Sequence, residues 1–520
     1  MTIRSLRNFI LPLAAALALL VNHASAVTYT WSGATSAGWN TASNWVGNVA
    51  PVSANTTDII ISGTTNVAQM FSGGAAGISY TIKSLTFDAT NDADTRFLMQ
   101  PTANANQVAR NLTFSSASGN ATLTVESGST GDKTITRTTN GTGTAATIIL
   151  TSSLDVIHNG SGLLTLGNAT NARVTGGGGI NKSGTGTLSL PGANTYTGAT
   201  TISGGELVLS GSGRLSSSSA LDLSGATARL NISGITAAGL TNASLAGIAG
   251  AVVNLGSKNL EVGGNNTSTT FAGVLTNTGS LTKSGTGTLT LSAANTYSGA
   301  TTIEAGKLVV NNSVSSTTTV QSGASLGGSG SVASVNVQSG GTIDPGNSPG
   351  TLTITNGLTW AGGGNYNWQI FAVSGTAGAT NTWDLINVTG GTWDITGLSS
   401  TNKFNINLWS LSGLPETSGP LAGFDATQNY SWMILASGGL SGTFNTNLFN
   451  INTGAINGTG GFAGATGLFS LAMDANNDLF LNYTGAGAAV PEPGTWAAAA
   501  LLGAAIFWRR FLRGRRLATS

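Results

Sequence analysis

The chain has 520 residues, of which only 8% are charged, 40% are hydrophobic and 75 are glycine. Disordered chains rich in Gly and Ser lack this regular apolar content, so the composition predicts a folded protein with a continuous core. The length exceeds one ordinary globular domain and favours a repeat stack, which grows by adding length. Because the chain has no cysteine, disulfide bonds, thiolate metal sites and cysteine nucleophiles are excluded.

The N-terminal residues have the pattern of a secretory signal peptide. Arg4 and Arg7 precede an apolar run at residues 9–21, and the small residues Ala24 and Ala26 then form an A-x-A cleavage site. An uncleaved anchor is the alternative, but about 13 apolar residues are few for a membrane span, which needs roughly 20. We therefore expect residues 1–26 to direct export through the Sec machinery and to be removed after Ala26.

Tryptophan positions divide the exported body into three parts. Three tryptophans lie near its start (Trp31, Trp39 and Trp45), and none follows until Trp360. The sequence thus predicts an N-terminal β region and cap at 27–110, a solenoid at 111–355 and an aromatic-rich C-terminal β region at 356–486. The last region is expected to cap the open edge of the solenoid, which would otherwise invite aggregation.

The middle part contains two near-copies of one segment, GTGTLSLPGANTYTGATTI from Gly184 and GTGTLTLSAANTYSGATTI from Gly285. Residues 182–212 and 283–313 are identical at 21 of 31 positions. Each copy alternates polar residues with Leu, then has an Asn-Thr-Tyr turn, a strand, a Gly bend and a final strand. Three strands separated by such corners predict one coil of a right-handed parallel β-helix. A meander or sandwich is the alternative, but it would use tighter hairpin turns.

Both copies resemble the autotransporter-associated β-strand repeat in their GTGTL start, ANTY-GATTI centre and Gly-x-Leu-Val end. That resemblance implies a passenger-type parallel β-helix in an all-β protein. Stacking would place Tyr196 and Tyr297, and likewise Asn194 and Asn295, at equivalent corners of the stack.

At the C-terminal end, Val490, Pro491, Glu492 and Pro493 precede an apolar segment of about 14 residues and a basic tail. The tail contains five arginines, Arg509, Arg510, Arg513, Arg515 and Arg516. This order predicts a short transmembrane helix whose tail stays on the cytoplasmic side. A permanent anchor is the alternative, for which about 14 residues are again few.

The C-terminal segment, residues 487–520, resembles the PEP-CTERM sorting signal of exopolysaccharide-producing Gram-negative bacteria. The resemblance implies that the four residues at 490–493 are recognised by an exosortase-type transpeptidase. It also implies transient anchoring in the inner membrane and a final location at the cell surface or in the extracellular matrix.

The charge of the exported body makes nucleic acid an unsuitable partner. Without the signal and the C-terminal segment, 13 basic and 18 acidic residues remain, so the body is mildly acidic. Nucleic-acid binding requires a concentrated basic face, which is missing here.

Candidate catalytic residues are few. His158 is the body's one histidine, and although Asp155 lies three residues before it, the segment has no nucleophile elbow. We interpret His158 as a polar residue at a strand end. Between the repeats, Glu206 corresponds to Lys307 and Ser203 to Glu304, which indicates swaps between solvated positions and not a carboxylate pair for glycoside cleavage. The sequence therefore predicts no enzyme activity and no cofactor.

Two further motifs each have an alternative interpretation. Asp474, Asn476 and Asp478 match the opening of a calcium loop, but the glycine and distal glutamate are missing, so we expect a hairpin turn and no metal. The three N-terminal tryptophans would cap the first coil or, alternatively, stack on sugars.

The leading functional hypothesis is a structural, exopolysaccharide-associated or biofilm-matrix protein with adhesive capacity. A polysaccharide-binding surface protein that uses its tryptophans is the second hypothesis, and a β-helix carbohydrate-active enzyme is the third.

Overall fold

The computed structural model describes residues 26–33, 38–63, 67–69, 79–99, 111–137, 146–414, 417–454, 462 and 465–486. Ala26 is among them, whereas Ala24, the 490–493 motif and the five tail arginines lie outside the described residues. The predicted C-terminal transmembrane helix also lies outside them and stays a prediction. Within the described ranges, no helix is long and apolar enough to cross a membrane.

The described chain is all-β apart from two short 3-10 helices, Ala42–Asn44 and Thr446–Leu448. Up to residue 110 the strands are β1 (Val27–Trp31), β2 (Thr57–Ile61), β3 (Val67–Gln69), β4 (Tyr80–Ile82), β5 (Ser84–Phe87) and β6 (Thr95–Leu98). The strands that lead into the first copy are β7 (Leu112–Phe114), β8 (Ala121–Val125), β9 (Lys133–Thr136), β10 (Ala146–Leu150), β11 (Leu154–His158), β12 (Leu163–Leu166) and β13 (Ala172–Gly176).

The strands of the first copy and of the coils after it are β14 (Ile180–Ser183), β15 (Thr187–Leu190), β16 (Thr200–Ile202), β17 (Glu206–Gly211), β18 (Ala220–Leu223), β19 (Arg229–Ile235), β20 (Gly239–Asn242), β21 (Ser244–Gly247), β22 (Val252–Asn254), β23 (Asn259–Val262), β24 (Thr269–Phe271) and β25 (Val274–Thr276). Those from the second copy to residue 355 are β26 (Ser280–Lys283), β27 (Thr288–Leu291), β28 (Ala294–Asn295), β29 (Thr301–Ile303), β30 (Gly306–Val310), β31 (Ser313–Val320), β32 (Ala324–Gly328), β33 (Ser331–Val337), β34 (Thr342–Pro345) and β35 (Thr351–Ile354).

The C-terminal strands are β36 (Leu358–Trp360), β37 (Asn365–Ile370), β38 (Leu385–Val388), β39 (Trp393–Asp394), β40 (Phe404–Gly413), β41 (Thr417–Ser418), β42 (Tyr430–Ser437), β43 (Leu440–Ser441), β44 (Phe449–Asn452), β45 (Leu468–Met473) and β46 (Leu479–Thr484).

Alternation of apolar and polar residues explains why these short segments are strands. In β8 the residues Ala121, Leu123 and Val125 are buried, and the two threonines between them are half-buried. The same inward and outward alternation holds for β2, β11 and β27. Successive side chains of a strand point to opposite faces, so this pattern gives each strand one face toward the core and one toward solvent.

The strands stack in parallel from one coil to the next, which is consistent with the predicted β-solenoid. Within the first copy, Asn181 of β14 pairs with Thr201 of β16, one coil of 20 residues further along the chain. The first sheet continues in this way from β1 through β14, β16, β27 and β34 to β44. The antiparallel pairings between named strands, β40–β41, β42–β46 and β45–β46, lie in the C-terminal region.

Three chain segments form each coil around the first copy. One strand lies in the first sheet, the next lies in a second sheet that contains β15, β17, β19, β22 and β25, and the third segment closes the coil. The third face consists of β4, β7, β10 and β13 and, after an interruption, begins again at β20, β23 and β26.

Each copy covers parts of two coils, which corrects the prediction of one coil per copy. The predicted strands and the bends at Gly205 and Gly306 are present, and both glycines have positive φ, at 65° and 64°. However, β15 pairs with β17 of the same copy, as β27 pairs with β30. The last strand of a copy therefore lies above an earlier one, because about 20 residues already complete a coil.

Each strand of the second copy lies on a different face of the solenoid from the corresponding strand of the first copy. β15 belongs to the second sheet, whereas its counterpart β27 belongs to the first sheet. Tyr196 and Tyr297 thus occupy the same local corner but do not lie above one another on the same face. The physical reason is unequal coil length: the Ala220 to Ser244 pairing spans 24 residues, so the distance between the copies is not a whole number of coils.

Buried aromatic side chains are grouped at the N-terminal end of the stack and in the C-terminal region. At the N-terminal end, the Trp39 ring meets those of Trp45 and Phe97 edge to face, at centroid distances of 4.8 and 5.1 Å. In the C-terminal region, Trp360 stacks on Phe404 at 4.0 Å. The N-terminal rings cover the first coils with a large apolar surface that excludes water, whereas the strands of Trp360 and Phe404 pair with further strands beyond them.

Candidate functional site

The first residue of each copy is a lysine that the fold buries. Lys182 is the third residue of β14, and its Nζ donates hydrogen bonds to the carbonyl oxygens of Ser183, Gly184 and Gly204 at 2.8 to 3.1 Å. Burial lowers the pKa of Lys182 to about 8. Lys283 repeats this arrangement with the carbonyl oxygens of Ser284, Gly285 and Ala305, and burial lowers its pKa as well. Sequence reasoning assigned no role to these lysines, although their identity in both copies was a signal.

The Asn-Thr-Tyr turns are hydrogen-bonded to the preceding coil. Asn194 Oδ1 accepts a hydrogen bond from Val174 N of the preceding coil, and Asn295 Oδ1 accepts one from Leu275 N. The buried Tyr297 hydroxyl lies 2.6 Å from Thr301 Oγ1, and burial raises the pKa of Tyr297 to about 12. These groups are engaged in structure and are closed to solvent.

His158 is fully buried at the end of β11, where the sequence placed it. Its Nε2 lies 2.9 Å from the Gly162 carbonyl oxygen. Burial lowers the pKa of His158 to about 4, and the nearby Lys182 and Lys133 cations lower it further. Asp155 points to the other face of the strand, where its carboxylate accepts hydrogen bonds from Asn120 and Asn181. The two residues therefore do not form a catalytic pair.

Lys307 takes part in an ion pair, which corrects its interpretation as a solvated position. Its Nζ lies 2.6 Å from Asp344 Oδ2. Asp384 is fully buried nearby, where its carboxylate accepts hydrogen bonds from the backbone N–H groups of Gly350 and Gln369. Burial, followed by the charge of Asp344, raises the pKa of Asp384 well above its usual value. Sequence reasoning missed this cluster because its members are far apart in the chain.

The predicted hairpin turn at Asp474 is confirmed. Asp474 lies between the antiparallel strands β45 and β46, and its Oδ1 accepts hydrogen bonds from the N–H groups of Asn476 and Asp478. Asp478 accepts a hydrogen bond from Ser437 N, and burial raises its pKa to about 6. Among the described residues, no group of three or more His, Asp or Glu side chains could hold a metal ion.

The N-terminal tryptophans are core residues. Trp31 and Trp39 are fully buried and Trp45 is 2% exposed, while Trp45 Nε1 donates to the Trp39 carbonyl oxygen at 2.7 Å. Buried rings cannot stack on sugars, so the structure contradicts the polysaccharide-binding role suggested for these three and supports the capping interpretation.

A groove of about 670 Å³ opens on the third face where its strands are interrupted. The segments 193–195, 212–217 and 236–241 form its walls, so three successive coils contribute to it. Its lining includes one cation, Arg214, together with serine and threonine hydroxyls, and it has no carboxylate and no aromatic ring. The volume lies in the range of small-ligand sites.

Two segments of the chain match a known protein family. Residues 180–209 and 281–310 match the Passenger-associated-transport-repeat. These matches confirm the repeat resemblance that the two copies suggested, and they coincide with the stacked strands β14–β17 and β26–β30.

The chain is also similar to a curated protein, the adhesin BmaC autotransporter of Brucella suis biovar 1 (strain 1330). The two sequences are 31% identical over 159 residues, which is 29% of this chain and 5% of the relative. The similarity therefore concerns a small part of a much longer protein.

Proposed function

We propose that this chain is an exported surface protein whose right-handed β-solenoid body has an adhesive role. The observation that carries the proposal is that both repeats match the passenger-associated family and fold as stacked parallel strands. The similarity to an autotransporter adhesin supports the same role.

The shape of the fold suits surface display. Each strand satisfies its backbone groups with the coils before and after it, so the stack can extend without disulfide bonds. Among the described carboxylates whose pKa burial raises, Asp384 accepts hydrogen bonds from two backbone N–H groups and Asp478 accepts one from a third. These features support a structural protein without enzyme activity or a cofactor.

Delivery is proposed to begin with Sec-dependent export and cleavage after Ala26. The exposed Ala26 directly precedes β1, whose first residue Val27 donates a backbone hydrogen bond to Thr56. Cleavage at this point would leave the whole of β1 in the mature protein.

We further propose that an exosortase-type transpeptidase recognises 490–493 during transient anchoring in the inner membrane. The released body would then reside at the cell surface or in the exopolysaccharide matrix of a biofilm. The sequence motif and its position before an apolar segment and an arginine tail support this step.

The sorting proposal is tested by following the body in cells that produce Glu492→Ala or a chain truncated after Pro493. We expect both to lose the C-terminal processing step and the surface-exposed, protease-accessible pool. Glu304→Ala is the matched control, because Glu304 is an exposed acid on the solenoid. Unchanged processing and location in Glu492→Ala would refute the sorting step.

The adhesive role is tested independently by comparing attachment of producing and deletion strains to abiotic and polysaccharide-coated surfaces. We expect attachment to fall in the deletion strain and to return on complementation. Equal attachment of both strains would refute adhesion while leaving the sorting result intact.

A further inference from the structure

The groove on the third face exists because the strand pairing of that face is interrupted at one place. On the N-terminal side β13 closes the face, and on the C-terminal side β20 and β23 do so. Between them, Asn194 and Arg214 lie in segments with little regular pairing, joined by a single bridge between Ala193 and Arg214. A stretch of three coils is thereby left concave instead of flat.

Arg214 is presented at this groove by a rigid backbone. Asn194 Nδ2 donates to the Arg214 carbonyl oxygen at 3.2 Å, and the adjacent Leu215 is 2% exposed and anchors the loop in the core. The Arg214 side chain itself is exposed, and its guanidinium makes no hydrogen bond or ion pair with the residues that the structure describes. Its five N–H donors are thus directed to solvent within a concave surface.

Hydroxyl groups surround this cation. Thr236 Oγ1 donates to the Gly211 carbonyl oxygen at 2.9 Å, so its lone pairs remain available to accept hydrogen bonds. Ser217 is exposed on the neighbouring wall. One carboxylate borders the groove, since Glu261 Oε2 accepts a hydrogen bond from Thr241 Oγ1 at 3.2 Å. This set offers one cation for an anion and several polar groups for sugar hydroxyls.

We propose that this groove binds an acidic saccharide, with Arg214 pairing with a sugar carboxylate and the Ser and Thr hydroxyls, with Glu261 at the rim, contacting the sugar hydroxyls. Arginine suits this task because its planar fork binds a carboxylate through two parallel hydrogen bonds. Without an aromatic ring in the walls, a neutral sugar lacks its usual stacking surface. The sugar carboxylate is therefore the group by which the groove distinguishes an acidic saccharide from a neutral one.

The second copy provides an internal comparison. There Ala294 pairs with Ser313, whereas in the first copy Ala193 pairs with Arg214. The asparagine that follows each alanine donates from Nδ2 to the carbonyl oxygen of the same partner residue. Ser313 begins the eight-residue strand β31, so the chain at this corner continues as a strand. The repeat thus folds with either residue, which indicates that Arg214 is not required by the corner itself.

Binding of an acidic saccharide gives the proposed surface role a ligand class, and it rests on that role because the groove meets extracellular saccharides only if the protein is exported. The test uses the full chain, purified in detergent, and titrates it calorimetrically with oligogalacturonate, oligomannuronate and oligoglucuronate. We expect saturable binding of at least one of the three, weakened by salt, and about tenfold or more weaker binding of its methyl ester.

Arg214→Ser introduces the residue of the second copy and should weaken binding about tenfold or more. Ser217→Glu should weaken it similarly by repelling the carboxylate. Arg229→Ser is the control with the same loss of charge, because Arg229 is exposed at the opposite end of β19 from Thr236, and it should bind like the unmodified chain. Unfolding curves of all variants verify that the fold is kept.

Three results would overturn the proposal: no binding of any of the three oligouronates, equal binding of acid and methyl ester, or unchanged affinity in Arg214→Ser. Its failure is separable from failure of the surface role, because protease accessibility of the wild-type body on cells is measured independently of ligand binding.

Discussion

Lys182 and Lys283 are charged side chains that the fold buries almost completely. A buried ammonium group is stable only when its N–H donors find acceptors, and each of these lysines has two carbonyl partners in its own corner and one in the next coil. The lysine ammonium group therefore binds the carbonyl oxygens of the Lys-Ser-Gly corner from the core side. In the repeat it is a structural residue, although lysine is usually found on protein surfaces.

Lys182→Met should lower the free energy of unfolding by about 2 kcal/mol, because the carbonyl oxygens of Ser183, Gly184 and Gly204 lose their donor. Urea unfolding followed by circular dichroism measures the change. Lys258→Met is the matched control, since Lys258 is half-buried and its side chain makes no hydrogen bond with the described residues; it should change stability by less than about 0.5 kcal/mol. Equal effects of the two substitutions would show that the corner does not need the ammonium group.

His158 should make the protein sensitive to acid. Its pKa is about 4 in the folded state, below the unfolded value of 6.5, so the unfolded chain takes up a proton first as the pH falls. The stabilisation from neutral His158 is present above pH 6.5 and is lost as the pH falls through about 4. The loss is on the order of 3 kcal/mol.

His158→Gln should remove this part of the pH dependence while keeping a donor for the Gly162 carbonyl oxygen. The measurement is the difference in unfolding free energy between the two proteins at pH 7 and pH 4. A difference that stays constant across that range would contradict the assignment. Comparing the two proteins cancels the opposite effect of Asp478, whose raised pKa favours the folded state as the pH falls.

At the scale of elements, the spacing between coils sets which residues each corner tolerates. The run of glycines at 176–179 begins at the last residue of β13 and leads into β14. A Cβ at Gly177 would have no heavy atom within 4 Å, whereas a Cβ at Gly178 would overlap the Ser152 carbonyl group of the preceding coil. Adjacent positions of one loop therefore have opposite requirements.

Gly178→Ala should destabilise the protein by about 2 kcal/mol or more, because the coil must move away from its neighbour. Gly177→Ala should be neutral or stabilising by up to about 1 kcal/mol, since it reduces the freedom of the unfolded chain. Thermal and urea unfolding of the two variants check this. If Gly177→Ala proved as damaging as Gly178→Ala, the packing of this corner would be wrong.

Strand positions within the repeats followed from the sequence. Thr187–Leu190 and Thr288–Leu291 alternate as predicted, and the strands that end at Ile202 and Ile303 are present. The prediction failed where it assigned those strands to coils. Local alternation determines which residues face inward, but it contains no information on which earlier strand lies beneath.

At the scale of the molecule, stacking makes each coil depend mainly on its neighbours. Removal of one whole coil in register should therefore leave a folded protein. Deleting residues 183–202 joins Lys182 to Ser203. Because Lys182 pairs with Ile202 in the next coil, Ser203 is the residue equivalent to Ser183, and the junction therefore keeps a serine at this position. Deleting residues 183–192 instead removes about half a coil and brings unrelated segments above one another.

We expect the 20-residue deletion to keep a β-type circular dichroism spectrum, cooperative unfolding and resistance to limited proteolysis. The ten-residue deletion should lose these properties. The comparison controls for deletion as such, because both junctions follow Lys182. Loss of folding in both proteins would contradict a stack of separable coils.

The sequence by itself determined the all-β character, the strand and corner residues of the repeats, the hairpin at Asp474 and the strand end at His158. These depend on periodicity and turn chemistry, which act over a few residues. The tertiary structure decided the 20-residue coil, the rotation of the second copy, the burial of Lys182, the Lys307–Asp344 pair and the groove beside Arg214. Each of these depends on which coil lies above which, and that is set by the lengths of all the segments between them.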